Sequence, residues 1–145
     1  MLTEKELLIL SHLRENSRKT ITDIAKETGI PKSTVFDNIN KLKTKVIKKN
    51  VSLLDFSKVG YGLRVNFAIK AKNKKEAREF LANHKNVNSV YKTTNNFDFY
   101  IEAIFKNMKE MHDFKDELDN LGIKRSEEHF LIDDIKREGF MLRKE

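Results

Sequence analysis

One short stretch of the 145-residue chain carries polar side chains of the types that read DNA bases. Residues 29–42, GIPKSTVFDNINKL, place apolar side chains at Val35, Ile39 and Leu42, the spacing of one helix face. The polar side chains expected to face outward are Ser33, Thr34, Asp37, Asn38 and Lys41. Hydroxyl, amide and carboxylate groups match the donors and acceptors that base edges present in the major groove. The stretch therefore predicts a DNA-reading helix.

Side-chain chemistry suggests individual roles on this helix. Asn38 can donate to and accept from an adenine edge, and Asp37 can accept from the amino group of cytosine. An alternative role for Asp37 is to hold a neighbouring lysine in place. The whole surface also has an alternative, a solvated helix face. Such faces usually carry long Glu–Lys pairs, whereas this one is mostly short hydroxyls and amides, so we favour DNA.

Positive charge is concentrated in the same part of the chain. Residues 1–60 hold 12 lysines and arginines against 7 acidic residues, residues 61–145 hold 17 against 15, and the net charge is +7. Such an excess is expected of a segment that meets a polyanion, although lysine-rich chains are also simply soluble. The lysines expected along phosphates after the helix are Lys43, Lys45, Lys48 and Lys49. The predicted DNA-contacting set also includes Thr22 and Lys32.

A first helix is expected at about residues 4–16. Thr3 and Glu6 form a capping-box pattern, in which each side chain satisfies a free backbone N–H of the first turn. Apolar residues follow at helical spacing at Leu7, Ile9, Leu10 and Leu13.

Two further helices should form a helix-turn-helix. Thr22 is expected to cap a short second helix, which ends at Gly29 because glycine adopts the left-handed conformation without strain. Pro31 suits the first turn of a third helix, which continues to about Lys45. Two helices joined by so tight a turn form a helix-turn-helix. Apolar residues at 46–54 suggest that an extended β linker follows.

The rest of the chain alternates between strand and helix patterns. The expected elements are a strand at 63–71, a helix at about 74–84, strands at 87–93 and about 97–105, a helix at about 108–121 and a strand at about 123–136. This β-α-β-β-α-β order is the ferredoxin-like arrangement, with both helices on one face of an antiparallel sheet. The predicted class is α+β, with a helix-turn-helix domain and linker at 1–60 and a ferredoxin-like domain at 61–145.

The sheet face turned away from the helices offers a surface for a second copy of the chain. It should expose Ala68, Tyr100 and Ile104, with Arg64 and Glu102 as charged partners. The alternative is a solvated face with scattered apolar residues, which is common. We favour a homodimer, with a tetramer or octamer as further alternatives, because two-fold symmetry adds affinity for DNA half-sites.

Composition argues against several other classes of protein. The chain has no cysteine, no apolar run long enough to span a bilayer and no signal-peptide pattern, so we expect a cytoplasmic protein with no membrane partner. Its four histidines are isolated in sequence, without metal-ligand spacing, and there is no glycine-rich phosphate loop. We therefore expect no enzyme activity, catalytic residue, metal or cofactor.

Three segments together carry a family resemblance: DIAKETGIPKSTVFDNINKL, VIKKNVSLLDFSKVGYG and TTNNFDFYIEAI. In this order and spacing they resemble the Lrp/AsnC (feast/famine) family of prokaryotic transcription regulators, over essentially the whole chain. The resemblance implies a sequence-specific regulator that binds double-stranded DNA, dimerises through its C-terminal domain and binds a small effector, commonly an amino acid. The family usually has arginines where this chain has Asp37 and Asn38, which implies a different DNA sequence.

The resemblance also places an effector loop at Asn95, Asn96, Phe97 and Asp98, where the family usually reads Gly-x-Tyr-Asp. Asparagine tolerates the left-handed backbone that glycine adopts, so the turn can survive. Asp98 is retained and can accept from the α-ammonium group of an amino acid, whereas Phe97 lacks the tyrosine hydroxyl. The alternative is a plain hairpin turn without any ligand, since Asn-Asn between strands is turn chemistry.

An RNA-binding or interaction module is another alternative. A ferredoxin-like sheet can bind RNA through exposed aromatic side chains on its central strands. Most strand aromatics of this chain, at Phe67, Phe97, Phe99 and Phe105, should face the helices and leave Tyr100 on the open side. That distribution favours DNA binding by the N-terminal part.

Overall fold

The computed structural model describes residues 1–142, which form helices and one antiparallel sheet. In chain order the elements are α1 (Glu4–Glu15), α2 (Ile21–Thr28), α3 (Lys32–Lys45), a 3₁₀ turn (Phe56–Val59), β1 (Leu63–Ala71), α4 (Lys74–Asn83), β2 (Val87–Lys92), β3 (Phe99–Phe105), α5 (Met108–Asn120) and β4 (Ile123–Phe130). The described chain divides into two compact units, residues 1–53 with 136–142, and residues 54–135. A functional division between residues 60 and 61 stays a prediction.

The first unit contains the predicted helix-turn-helix. The capping box is confirmed, since the Glu6 backbone N–H donates to the Thr3 hydroxyl at 3.1 Å and the Thr3 N–H donates to the Glu6 carboxylate at 2.9 Å. Gly29 ends α2 with a φ of 71°, in the left-handed region. The buried core of the first unit consists of Ile9, Ile24, Ile30, Val35 and Leu42.

The predicted cap of α2 is wrong. Thr20, two residues before Thr22, is the N-cap, and its hydroxyl accepts from the Asp23 N–H at 3.1 Å. Thr22 lies inside α2 with an exposed side chain. Starting the helix at Ile21 lets that residue pack against the core of the unit, which explains why the earlier threonine is used.

The predicted β linker is also wrong for a single chain. Residues 46–55 contain no strand, although the segment is rich in β-branched and apolar residues. A strand needs a neighbouring strand for its ladder of hydrogen bonds, and none of the strands within residues 1–142 pairs with this segment. The segment leaves α3 with a turn in which the Ile47 N–H donates to the Leu42 carbonyl at 2.9 Å.

The second unit has the predicted ferredoxin-like order, with strands arranged β2-β3-β1-β4 and all neighbours antiparallel. One sheet face packs on α4 and α5 around Phe67, Phe105 and Phe114. β4 ends at Phe130 rather than near residue 136, because Phe130 pairs with Val65 close to the beginning of β1. Beyond Phe130, β4 would soon pass the beginning of β1 at Leu63 and have no strand to pair with.

The other sheet face is less open than predicted. Ala68 and Ile104 are each only 7 % exposed, while Tyr100 is 38 % exposed. Arg64 pairs within its own chain, with Glu102 at 2.9 Å and Asp134 at 2.6 Å. Burial alone would lower the pKa of Arg64, but the hydrogen bonds to the two carboxylates outweigh it and raise that pKa. The charged side chains of this face thus pair with one another within one chain.

Candidate nucleic-acid interface and sensing loop

Helix α3 presents a polar surface opposite its buried side. Val35 and Leu42 are fully buried and Ile39 packs beside them. Since successive residues of an α-helix turn by about 100°, the positions opposite this stripe are Ser33, Asp37, Asn40 and Thr44, and all four are exposed. The side chains directly opposite the buried stripe therefore carry hydroxyl, amide and carboxylate groups.

The predicted residues do not all occupy this outer surface equally. Ser33, Asp37 and Lys41 are exposed, whereas Thr34 and Asn38 are half-buried on the flank of α3. Asn40, Thr44 and Phe36 are also exposed on α3, although none of them was predicted to face outward. The spacing of 33, 37, 40 and 44 repeats at helical period and would have identified the first two.

Asp37 makes no ion pair or hydrogen bond with any side chain of residues 1–142. The alternative in which Asp37 holds a neighbouring lysine therefore has no support in the described structure. An exposed carboxylate on a basic helix can accept a hydrogen bond from a cytosine amino group. It also repels phosphate, so its presence favours contact with bases over contact with the backbone.

The lysines of the predicted set surround this surface. Lys32 begins α3, Lys43 and Lys45 lie in its last turn, and Lys48 and Lys49 follow it; all have exposed side chains. These flexible cations can approach phosphates without fixing a base sequence. Positive side chains therefore extend from the start of α3 into the segment that follows it.

Two of the helix's lysines also act on α1. The Thr3 N–H holds the pKa of Glu6 below its ordinary value, and the charges of Lys45 and Lys41 lower that pKa further. The lowered pKa extends the ionised range of Glu6 further into acid. The positive charges of Lys41 and Lys45 are therefore partly offset by the Glu6 carboxylate within the same unit.

The N-terminus of α3 has free backbone donors. Pro31 occupies the N-cap position and contributes no side-chain hydrogen bond, and the first turn contains no acidic residue. The first N–H groups of a helix have no partner inside the helix, and they favour a nearby phosphate. This end of α3 is thus suited to a DNA backbone.

The predicted effector loop is a tight turn between β2 and β3. Asn95 has a φ of 66°, so asparagine does take the left-handed conformation at the position where the family usually has glycine. Asn96 is exposed, and the ring of Phe97 lies beneath the Arg125 guanidinium, 5.1 Å from the ring centroid. The four predicted residues, 95–98, thus belong to one turn that joins β2 to β3.

Asp98 in this loop is already engaged within the chain. Its carboxylate accepts from the backbone N–H of Ala71 at 3.0 Å and lies 3.4 Å from the Lys74 ammonium group. Its side chain is 15 % exposed. An incoming ammonium group would have to use the remaining lone pairs of this carboxylate.

A cavity of about 380 Å³ lies at the other end of the sheet. Its apolar walls come from the segment around the 3₁₀ turn and from the sheet, with Leu54, Phe56 and Ile104 among them. Glu110 lines one side, where the Asn86 side chain and the Lys106 N–H donate to it and hold its pKa below the ordinary value. No local sequence pattern predicts this cavity, because its walls are far apart along the chain.

The fold combines a helix-turn-helix unit with a second, ferredoxin-like unit. A winged helix-turn-helix DNA-binding model matches residues 2–45, and the Lrp/AsnC ligand binding domain model matches residues 65–140, more than half of the chain. The chain belongs to the Lrp/AsnC family and is a transcription regulator of the helix-turn-helix type.

Relatives from Pyrococcus species agree with this assignment. An uncharacterised HTH-type transcriptional regulator of Pyrococcus abyssi is 31 % identical over 142 residues, which cover 95 % of this chain and 97 % of that protein. The HTH-type transcriptional regulator FL11 of Pyrococcus horikoshii is 30 % identical over 118 residues, covering 79 % and 78 %. These matches favour transcription regulation over an RNA-binding module.

Solved structures share the fold. A transcriptional regulator from Neisseria meningitidis, solved as an L-Met complex, has a TM-score of 0.84 at 22 % identity and covers 94 % of each chain. AsnC from E. coli has a TM-score of 0.79 at 18 % identity, covering 94 % of this chain and 96 % of AsnC. At these identities the likeness concerns the fold alone.

Two absences concern residues 1–142. Within that range no group of three or more histidine or acidic side chains is arranged to hold a metal ion. No helix in the same range combines the length and apolar character needed to cross a membrane.

Proposed function

We propose that this regulator acts as a homodimer that binds a two-fold-related DNA site, with α3 of each subunit in the major groove. The observation that carries the proposal is the outer surface of α3, where short polar side chains are exposed and lysines surround them. In this proposal Asp37 and Asn38 read bases, joined by Ser33 and Thr34. The remaining contacts, to phosphates, come from Thr22, Lys32, Lys41, Lys43, Lys45, Lys48 and Lys49.

The open face of the sheet supports a subunit interface. The Nε of Arg64 and the Oδ1 of Asn66 are buried and have no hydrogen-bond partner within residues 1–142. A buried polar group without a partner costs about 1–3 kcal/mol. A second sheet packed on this face could supply the missing partners and cover Tyr100. Assembly of such dimers into a tetramer or octamer is an extension of the same proposal.

We propose further that an amino acid, if one regulates this protein, binds at the turn of Asn95, Asn96, Phe97 and Asp98. The family model that matches this unit is a ligand binding domain, and a protein of the same fold was solved with L-Met. Asp98 would accept from the ammonium group with the lone pairs that Ala71 and Lys74 leave free. Since the protein acts on the chromosome, we expect it in the cytoplasm.

A direct test compares nucleic acids. Fluorescence anisotropy with labelled duplex DNA and single-stranded RNA of equal length should show tighter binding of the duplex. Equal or tighter binding of the RNA would contradict the proposed function.

A further inference from the structure

Phe36 is a large aromatic side chain exposed on the DNA-reading helix. It lies in α3, where 52 % of its surface is accessible. The buried stripe of α3 consists of Val35, Ile39 and Leu42, and Phe36 is turned about 100° away from it. Phe36 therefore contributes little to the core of its unit, and its exposure is not explained by folding.

The neighbours of Phe36 on the helix surface are candidate DNA contacts. Residues three and four apart lie side by side on a helix. Phe36 thus lies between Lys32 and Ser33 in the preceding turn and Asn40 in the following turn, with Lys43 one turn further along. All four are exposed. An aromatic ring within a polar, basic surface of this kind would be covered when that surface meets DNA.

DNA offers one apolar group that suits this ring. The 5-methyl group of thymine projects into the major groove, where apolar side chains contact it and distinguish thymine from cytosine. The charge of the surrounding lysines favours a polyanion over an apolar protein surface. We infer that Phe36 contacts a thymine methyl group and specifies thymine at one position of each half-site. This inference rests on the proposed function and adds an apolar specificity determinant to it.

A cycle of protein and DNA changes isolates the contact. The full-length protein first selects a DNA site from a random pool, and each thymine of that site is then replaced by deoxyuridine, which lacks only the methyl group. At one thymine per half-site the wild type should lose affinity about three- to ten-fold, as expected for one buried apolar group. Phe36→Ala should bind the thymine and deoxyuridine sites equally.

Control variants separate this contact from a general loss of fold. Phe140→Ala removes a phenylalanine that is 75 % exposed outside α3 and should keep the wild-type response to deoxyuridine. Phe36→Leu keeps an apolar side chain and should retain part of that response, with helix content checked by circular dichroism. A wild type indifferent to deoxyuridine at every thymine, or a Phe36→Ala variant as sensitive as wild type, would overturn the inference alone. Failure of the wild type to select any site would instead contradict the proposed function, and the inference with it.

Discussion

The carboxylate of Asp98 accepts a hydrogen bond from the backbone N–H of Ala71 at a distance of 3.0 Å. Ala71 ends β1 and is buried, and the pairing of β1 with β4 shifts between Lys70 and Ala71. At this irregular point Asp98 satisfies a backbone donor. The aspartate retained from the family pattern therefore has a structural role in addition to any role in binding.

Loss of this hydrogen bond should destabilise the protein even without an effector. Asp98→Ala leaves the Ala71 N–H without its partner, so the free energy of unfolding should fall by about 1–3 kcal/mol. Urea denaturation followed by circular dichroism measures the change. Asp113→Ala is a matched control, because within residues 1–142 Asp113 makes a single exposed pair, with Lys109, and such pairs contribute about 0–1 kcal/mol. Equal stability of the two variants would contradict the structural role.

Effector binding must therefore be read against each variant's own melting temperature. Screening the twenty amino acids by thermal shift should reveal one that stabilises the wild type and Asp113→Ala but has a reduced effect on Asp98→Ala. The reason is that binding to the folded state raises stability only where the site is intact. An undiminished shift in Asp98→Ala would place the site elsewhere, and no shift with any amino acid would favour a plain turn.

The lysines in the last turn of α3 and just after it should control the salt dependence of DNA binding. Replacing Lys43, Lys45, Lys48 and Lys49 with alanine should weaken specific and non-specific DNA binding alike. The slope of log affinity against log salt should decrease by about one unit for each lysine that contacts a phosphate. The matched control replaces four exposed lysines of the second unit, Lys58, Lys75, Lys109 and Lys124, and should leave the slope unchanged. If both quadruple variants gave the wild-type slope, this segment would not lie on DNA.

A charge placed on the open sheet face should disrupt the proposed dimer. Tyr100 faces Ala68 across β1 and Tyr91 across β2, so Tyr100→Glu would bury a carboxylate between two sheets. Light scattering at micromolar concentration should show a dimer for the wild type and a monomer for the variant. Met108→Glu changes an exposed residue of α5 and should remain dimeric. A monomeric wild type, or a dimeric Tyr100→Glu, would contradict an interface on this face.

Local signals in the sequence were sufficient for much of the fold. The capping box of Thr3 and Glu6 and the left-handed Gly29 depend on a few adjacent residues, and both are confirmed. Thr20 and Thr22 are chemically equivalent caps, and tertiary packing of Ile21 decided between them. The end of β4 depended on how far β1 extends, which a local pattern cannot report.

In the candidate site, too, features set by local sequence were predictable and features set by distant residues were not. The polar surface of α3 follows from helical period, so its outline was predictable. The engagement of Asp98 was not, because its partner Ala71 is distant in sequence and the hydrogen bond depends on an irregular strand pairing. The exposure of Phe36 was not predictable, because phenylalanine is more often a core residue and only the folded unit shows that this one lies outside the core.

Selection of bound DNA from a random duplex pool tests the central claim most directly, that α3 of a dimer reads DNA. The wild type should enrich a site with two-fold-related half-sites, as expected for a symmetric reader. Asn38→Ala should select the same site with relaxed preference at one position per half-site, at a cost of about 1–3 kcal/mol. Asn40→Ala, which changes the more exposed asparagine of α3, shows in the same experiment which of the two reads a base. Enrichment of no sequence by the wild type, or of a site without two-fold symmetry, would contradict the account.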